Sequence, residues 1–264
     1  MTYPDFCRLC GGKNLTAAEA AALEPYRVRR AVFMAAGFGS RMAPVTLTAP
    51  KPLVTVNGVR LIDTLLDAVL AAGIRDITIV RGHLGEQFDA LTEKYPMLRL
   101  LDNPYYSSAN NISSAWAARD LLAGAYLLEA DLLLANPALI TPYQYRSNYL
   151  GVPVAHTDDW CFETDSGRII AVRVGGNNCH DGRGCHHMFG ISYWTPADGA
   201  RLAGHLEQAF SAPGGKELYW DLVPLRDFAG EYDIYVRECS FSDITEIDTL
   251  AELIALDSSY AQYL

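Results

Sequence analysis

From Arg30 onward the chain alternates short apolar segments with segments of helical spacing, and this rhythm limits the fold more than any other feature. Ala31–Ala35, Asp76–Val80, Leu98–Leu101 and Ala125–Ala130 read as strands. Between them, Leu61–Ala72 reads as a helix stopped by Gly73, and helices follow at Gly85–Lys94 and about Ile112 to Leu122. Such alternation predicts a Rossmann-like α/β fold, a mixed and mostly parallel sheet with helices on both faces. Ligands of such sheets sit at the carboxyl ends of the strands. The second half is less regular. Tyr149–Ala155, Trp160–Glu163, Arg168–Val174 and Met188–Trp194 read as strands, with Thr164–Gly167 as a turn. Helices at about Ala197–Phe210 and Glu217–Phe228, a strand at Tyr232–Glu238 and a helix from Thr249 complete the pattern. Residues 1–29 stand apart, with Cys7-Arg-Leu-Cys10-Gly-Gly, an Ala/Glu-rich helix and a basic stretch. They are expected to form an appendage to a main domain, 30–264, whose halves divide near residue 135.

The segment Met34-Ala-Ala-Gly37-Phe-Gly39-Ser-Arg41 leaves the first strand directly. Its small residues let backbone N–H groups approach an anion closely. Arg41 adds a permanent charge, and Lys51 follows between Pro50 and Pro52, which stiffen the backbone around it. A pinned lysine suits a position facing phosphate. A dinucleotide fingerprint would need glycine where Met42 stands, and a Walker loop would end in Gly-Lys-Ser/Thr, which is absent.

Charge decides what kind of partner is excluded. With 21 basic and 31 acidic residues the net charge is −10, which argues against a duplex nucleic-acid binder. It leaves room for a nucleotide, held by a few local cations and backbone amides. The longest apolar stretches, Leu65–Ala72 and Tyr126–Ala135, contain Asp67 and Glu129 with Asp131. Both fall short of the roughly 20 residues that span a bilayer. With no charged-then-apolar leader and six cysteines in no regular framework, a cytoplasmic protein is expected.

In the second half, Trp160 and Tyr219-Trp220-Asp221 stand out. An aromatic wall with a carboxylate suits a quaternary ammonium, although tryptophans are more often plain core. Asp131 ends an apolar strand at the ligand edge, where it could instead cap the next element. Asp248, before Thr249, reads on its own as a helix cap. Cys7-x-x-Cys10 resembles half of a zinc knuckle, with Cys179-His180 and Cys185-His186-His187 as a conceivable other half. Their separation of about 170 residues is far beyond a self-contained finger.

Ala35-Ala-Gly-Phe-Gly-Ser-Arg41 with Lys51-Pro52 resembles the signature of the nucleotidyltransferases that make NDP-sugars and CDP-alcohols. Val80-Arg-Gly-His-Leu-Gly-Glu-Gln-Phe88, Asn110-Asn111, Glu129-Ala-Asp131, Tyr219-Trp220-Asp221 and Glu246-Ile-Asp248 are similar to the bacterial CTP:phosphocholine cytidylyltransferases. These pieces span roughly residues 30 to 257; the appendage and the insert around Asn177–His187 lie outside them. The resemblance implies the nucleotide-diphospho-sugar transferase type of fold and a Mg²⁺ ion held by Asp131 and Asp248, with Glu129 as a weaker candidate. It implies CTP as donor, its phosphates on Ala36–Arg41 and neutralised by Arg41 and Lys51. The base would lie over Ala35, Ala36 and Gly37, between Gly82 or His83 and Asn110 or Asn111. Gly39 and Ser40 complete the nucleotide set, and Trp160, Tyr219, Trp220 and Asp221 form the choline cage. The expected reaction is CMP transfer to phosphocholine with release of pyrophosphate, the acceptor being supplied by a choline kinase. Another aminoalkyl phosphate or phosphonate, or a sugar 1-phosphate, remains an alternative acceptor. A nucleotide sensor or scaffold without turnover is the rival from another class.

Overall fold

A computed structural model of the chain describes residues 1–12, 14–175, 179 and 183–263. Thirteen strands and seven α-helices are present among them. The strands are β1 (Arg30–Ala35), β2 (Thr55–Val56), β3 (Val59–Arg60), β4 (Asp76–Arg81), β5 (Leu98–Asp102), β6 (Ala125–Glu129), β7 (Leu132–Leu134), β8 (Asn148–Pro153), β9 (Cys161–Asp165), β10 (Arg168–Arg173), β11 (Gly184–Trp194), β12 (Tyr235–Glu238) and β13 (Ile244–Glu246). The helices are α1 (Tyr3–Cys10), α2 (Ala17–Leu23), α3 (Leu61–Ala71), α4 (Leu91–Lys94), α5 (Ile112–Ala117), α6 (Pro196–Ser211) and α7 (Leu250–Leu256).

One nine-stranded sheet, in the order β5-β4-β1-β6-β11-β8-β12-β10-β9, carries the molecule. Its first four strands are parallel, as the alternation predicts, and β1 lies at their centre between β4 and β6. Alternate residues of β1 feed two cores. Ala31, Phe33 and Ala35 join the cluster containing Ile62, Leu65 and Leu66 of α3, while Val32 joins the one containing Ile112 of α5 and Leu202 of α6. A central strand covered on both faces must be apolar at every position, which is why it reads as a continuous run. From β11 onward the pairing is mostly antiparallel, with β12 against β8 the parallel exception.

Several helices expected from spacing are shorter. Gly85–Ala90 winds as a 3₁₀ turn before α4, and α5 gives way to a second such turn, Arg119–Leu121. The helix expected over Glu217–Phe228 does not form. Leu218 is extended, with φ −74° and ψ 150°, and Pro224 lies in a π-helical turn, Val223–Asp227. Proline lacks the N–H that a regular helix needs there. The strand expected from Met188 begins at Gly184, so Cys185, His186 and His187 belong to β11.

The N-terminal helices pack against the rest of the chain through aromatic contacts. Phe6 of α1 packs against Tyr26 and Tyr145, and the Arg146 guanidinium lies between the rings of Tyr3 and Tyr235. No helix among the described residues is long and apolar enough to cross a membrane.

Candidate active site

The carboxyl ends of β1 and β6 open into a cleft of about 660 Å³, within the range of small-molecule sites. The loop after β1 forms one wall. Gly39 adopts a left-handed conformation, φ +61°, and its carbonyl accepts a bond from Thr46 Oγ1 at 2.9 Å. Above Gly37 there is open space, so a ligand can lie directly on the backbone. Ala35, Ala36, Gly37, Gly39, Ser40 and Arg41 all line the cleft.

Gly82 and His83, expected beside the base, do not line the cleft; they support the loop from behind. The His83 amide donates to Ala36 O at 3.1 Å, and its Nε2 lies 3.0 Å from Thr46 O. A β-carbon on Gly82 would meet Tyr106 at 2.6 Å and Ala36 O at 2.8 Å, so only glycine fits. Asn110 and Asn111 do line the cleft, but much of their polarity is already engaged. Asn110 Nδ2 donates to Glu217 O at 3.1 Å, and its Oδ1 accepts from the Asn111 amide at 2.7 Å. Asn111 Oδ1 accepts from the Trp220 amide at 2.9 Å. The pair ties the first half of the cleft to the second.

Lys51 is buried at the floor, 7% exposed. Its Nζ lies 2.8 Å from Asp131 Oδ2 and 2.7 Å from Asp248 Oδ1, while Arg41 Nη2 lies 2.8 Å from Asp248 Oδ2. Burial alone would lower the lysine's pKa, but the two carboxylates more than offset this and hold it raised. Asp248 is not a helix cap. Thr249 caps α7 in a reciprocal arrangement with Glu252, which leaves the Asp248 carboxylate to the cleft.

The backbone explains how Asp131 and Asp248 meet. Glu129-Ala130-Asp131 leads into β7, Glu246-Ile247-Asp248 leaves β13, and β7 and β13 pair antiparallel with Glu246 opposite Leu132. Two Glu-x-Asp segments therefore converge. Glu129, Asp131 and Glu246 bring carboxylate oxygens within 4.8 Å of one another. Asp131 Oδ1 is buried and has no hydrogen-bond partner among the described residues, as a metal-facing oxygen would be. Hard oxygen donors of this kind suit Mg²⁺, so the residues fit a divalent ion. Asp131 has Glu129 and Glu246 within 4.8 Å, while Asp248 lies against Lys51 and Arg41 and Asp131 shares Lys51 with it. In the sequence Glu246 stands only as a member of the Glu246-Ile-Asp248 motif, although its spacing from Asp248 repeats that of Glu129 from Asp131.

Crowding shows in the titration of the acids. Burial, reinforced by Asp221 and Asp131, pushes Glu129 well above the carboxylate range. Burial, with Asp131 and Asp248 behind it, pushes Glu246 to about 8. Burial carries Asp221 to about 7, against the pull of the Tyr149 hydroxyl, which donates to it at 3.0 Å.

On the acceptor side, Trp160 and Tyr219 meet edge to face at 5.1 Å and line the cleft with Asp221, Asp159 and Met188. Trp220 is a correction to the expected cage. It is 1% exposed and stacks on Tyr149 in the core, because neighbouring residues of this irregular segment face opposite ways. The zinc-knuckle expectation also changes. Cys7 and Cys10 are exposed on α1, and neither belongs to a metal-compatible group among the described residues. His186 lies 3.2 Å from Glu238 and His187 3.1 Å from Thr157, while His180 falls outside the described residues.

A glycine loop, a buried lysine and paired carboxylates at the end of a parallel sheet define a site for transfer of a nucleotidyl group. Residues 30–137 match the Nucleotidyl transferase family. The chain is 39% identical to the 2-aminoethylphosphonate cytidylyltransferase of Lancefieldella rimae, over 89% of this chain and 94% of that protein. It is 31% identical to the choline-phosphate cytidylyltransferase of Streptococcus pneumoniae, over 86% of this chain and 96% of that protein. The solved structure of CTP:phosphocholine cytidylyltransferase from Streptococcus pneumoniae superposes with a TM-score of 0.79 at 31% identity, covering 88% of this chain and 99% of that one. The inositol-1-phosphate CTP transferase of T. maritima shares the fold at a TM-score of 0.67 and 15% identity, covering 89% of this chain and 94% of that one. The chain belongs to the nucleotidyl transferase family. Relatives that match along most of its length include bacterial cytidylyltransferases.

Proposed function

We propose that the protein transfers CMP from CTP to the phosphonate oxygen of a short primary-amine acceptor, 2-aminoethylphosphonate, releasing pyrophosphate. The carrying observation is the charge balance of the cleft. Six carboxyl groups line it, Glu129, Asp131, Asp159, Asp221, Glu246 and Asp248, against the two cations Arg41 and Lys51. Burial favours the protonated forms of Glu129, Asp221 and Glu246, and a bound cation would draw them to the charged form. A metal ion would offset part of that excess, and an acceptor bearing a primary ammonium would offset more. Such an ammonium offers three N–H donors to carboxylates, whereas a quaternary one offers none. The relative at 39% identity, named for 2-aminoethylphosphonate, supports the same choice.

In this reading the loop amides of residues 36–41 cradle the triphosphate. Arg41 and Lys51 neutralise charge that builds on the α-phosphoryl group as the acceptor oxygen attacks in line. Asp131, with Glu129 and Glu246, would hold Mg²⁺, which supplies Lewis-acid stabilisation of the phosphoryl oxygens when bound. No side chain has to remove a proton, because the acceptor oxygen is already anionic near neutral pH.

Phosphocholine is the second reading, favoured by the Trp160–Tyr219 pair, which can face a methylated ammonium. Pyrophosphate release with each of the four NTPs and with 2-aminoethylphosphonate, phosphocholine or glucose 1-phosphate tests both. The highest kcat/KM is expected with CTP and 2-aminoethylphosphonate. A preference for phosphocholine would transfer the assignment to the second reading, and turnover confined to the sugar phosphate would overturn both.

A further inference from the structure

A second group of metal-binding side chains lies behind the acceptor wall. Cys161 opens β9, is wholly buried and directly follows Trp160. In the β9–β11 ladder Cys161 stands opposite His187 and Glu163 opposite Cys185, so Cys161 and Cys185 are diagonal neighbours on one face. Cys179 approaches the same face, with its sulfur 3.7 Å from Cys161 Sγ. All three sulfurs lie within 4.8 Å of one another. In this structure Cys179 and Cys185 are paired as a disulfide.

We propose that, reduced, Cys161, Cys179 and Cys185 form a three-thiolate site for a zinc ion, separate from the Mg²⁺ site of the cleft and independent of the acceptor assignment. Zn–S bonds of about 2.3 Å in a tetrahedron set the sulfurs about 3.8 Å apart. Cys161 and Cys179 already have that spacing. Soft thiolates select zinc over the hard cations that suit the carboxylates of the cleft. Three ligands leave the fourth position to water or another donor. Binding converts three thiols and Zn²⁺ into a tris-thiolate complex with release of three protons. Starting from the disulfide, a phosphine or dithiol reductant must first supply two electrons. Such an ion would fasten Cys179 to β9 and β11, and through Cys161 would steady Trp160 at the acceptor wall.

The test uses the full chain, untagged and purified with a phosphine reductant and without chelator. Elemental analysis should give about one zinc per chain. Cys161→Ser should drop it to near zero, while a Cys7→Ser/Cys10→Ser double variant should retain it. Cobalt loading of the wild type should give the thiolate-to-cobalt charge-transfer band of a tetrahedral sulfur site, which the carboxylate site cannot produce. Should the serine variant fail to fold, zinc release during mercurial titration of the reduced Cys7→Ser/Cys10→Ser variant still decides, with release expected to need three to four equivalents, three for the cluster and at most one for Cys239. Zinc retained in Cys161→Ser would overturn the site. So would absence of zinc and of the cobalt band from the reduced wild type.

Discussion

Replacing Lys51 by methionine keeps the volume of the side chain and removes its charge. In the wild type the ammonium lies 2.8 Å from Asp131 and 2.7 Å from Asp248. At an effective dielectric of about 20, each contact is worth roughly 6 kcal/mol of gross attraction. Desolvation cancels most of it, but deleting one member of a buried ionic group typically costs about 3–5 kcal/mol. Asp131 and Asp248 keep 25% and 17% of their side-chain surface in contact with water, so about 3 kcal/mol, the low end of that range, is expected in the absence of metal. For a chain of this size that corresponds to a fall in Tm of roughly 6 °C. Added Mg²⁺ should restore part of it, because an ion can take over neutralisation of Asp131. It should not restore catalysis. Loss of a cation aimed at developing phosphoryl charge should lower kcat about 10²–10³-fold or more, by analogy with removal of a single oxyanion donor. The assays are differential scanning fluorimetry with and without Mg²⁺, and steady-state pyrophosphate release. Turnover within about threefold of wild type would show that Lys51 holds the carboxylates without acting on the phosphates.

Further expectations follow from the same geometry. Asp221, at about 7, and Glu246, at about 8, retain protons that the unfolded chain loses near pH 4. Metal-free stability should therefore fall as pH rises from about 5 to 8, by about 1.4 kcal/mol per unit for each retained proton. Divalent-metal affinity should climb over the upper part of that window; calorimetry in buffers of different ionisation enthalpy would count the released protons, and none would contradict the assignment. Trp160→Ala should raise KM for the acceptor several-fold and leave KM for CTP near wild type. Gly82→Ala, whose β-carbon would press on Ala36 O and Tyr106, should raise KM for CTP, with little change expected in the acceptor's. Phe6→Ala, remote from the cleft, should lower stability by about 3 kcal/mol in chemical denaturation with kcat unchanged.

The parallel half of the sheet is legible because strands buried on two faces must be apolar throughout, as Ala31–Phe33 and Tyr126–Leu128 are. The convergence of Arg41, Lys51, Asp131 and Asp248 is legible as motif order. What sequence could not give is which member of a motif faces the ligand. In Tyr219-Trp220-Asp221 three adjacent residues cannot all point one way, and the middle one went to the core. Glu129 and Glu246 do not read as partners in the sequence because pairing of β7 with β13, more than a hundred residues apart in sequence, is what brings them together. Likewise, Asn110 and Asn111 carry no sign that their amides are taken up by the segment 217–220.

The position of β12 has a consequence for biosynthesis. It inserts between β8 and β10, which precede it in the chain by more than sixty residues. Until Tyr235–Glu238 has been made, β8 and β10 lack the strand that lies between them. Asp248, which completes the charge set around Lys51, follows only ten residues after that strand. Closure of the sheet and completion of the catalytic centre thus depend on the same late stretch of translation. A truncation before Tyr235 should abolish both together.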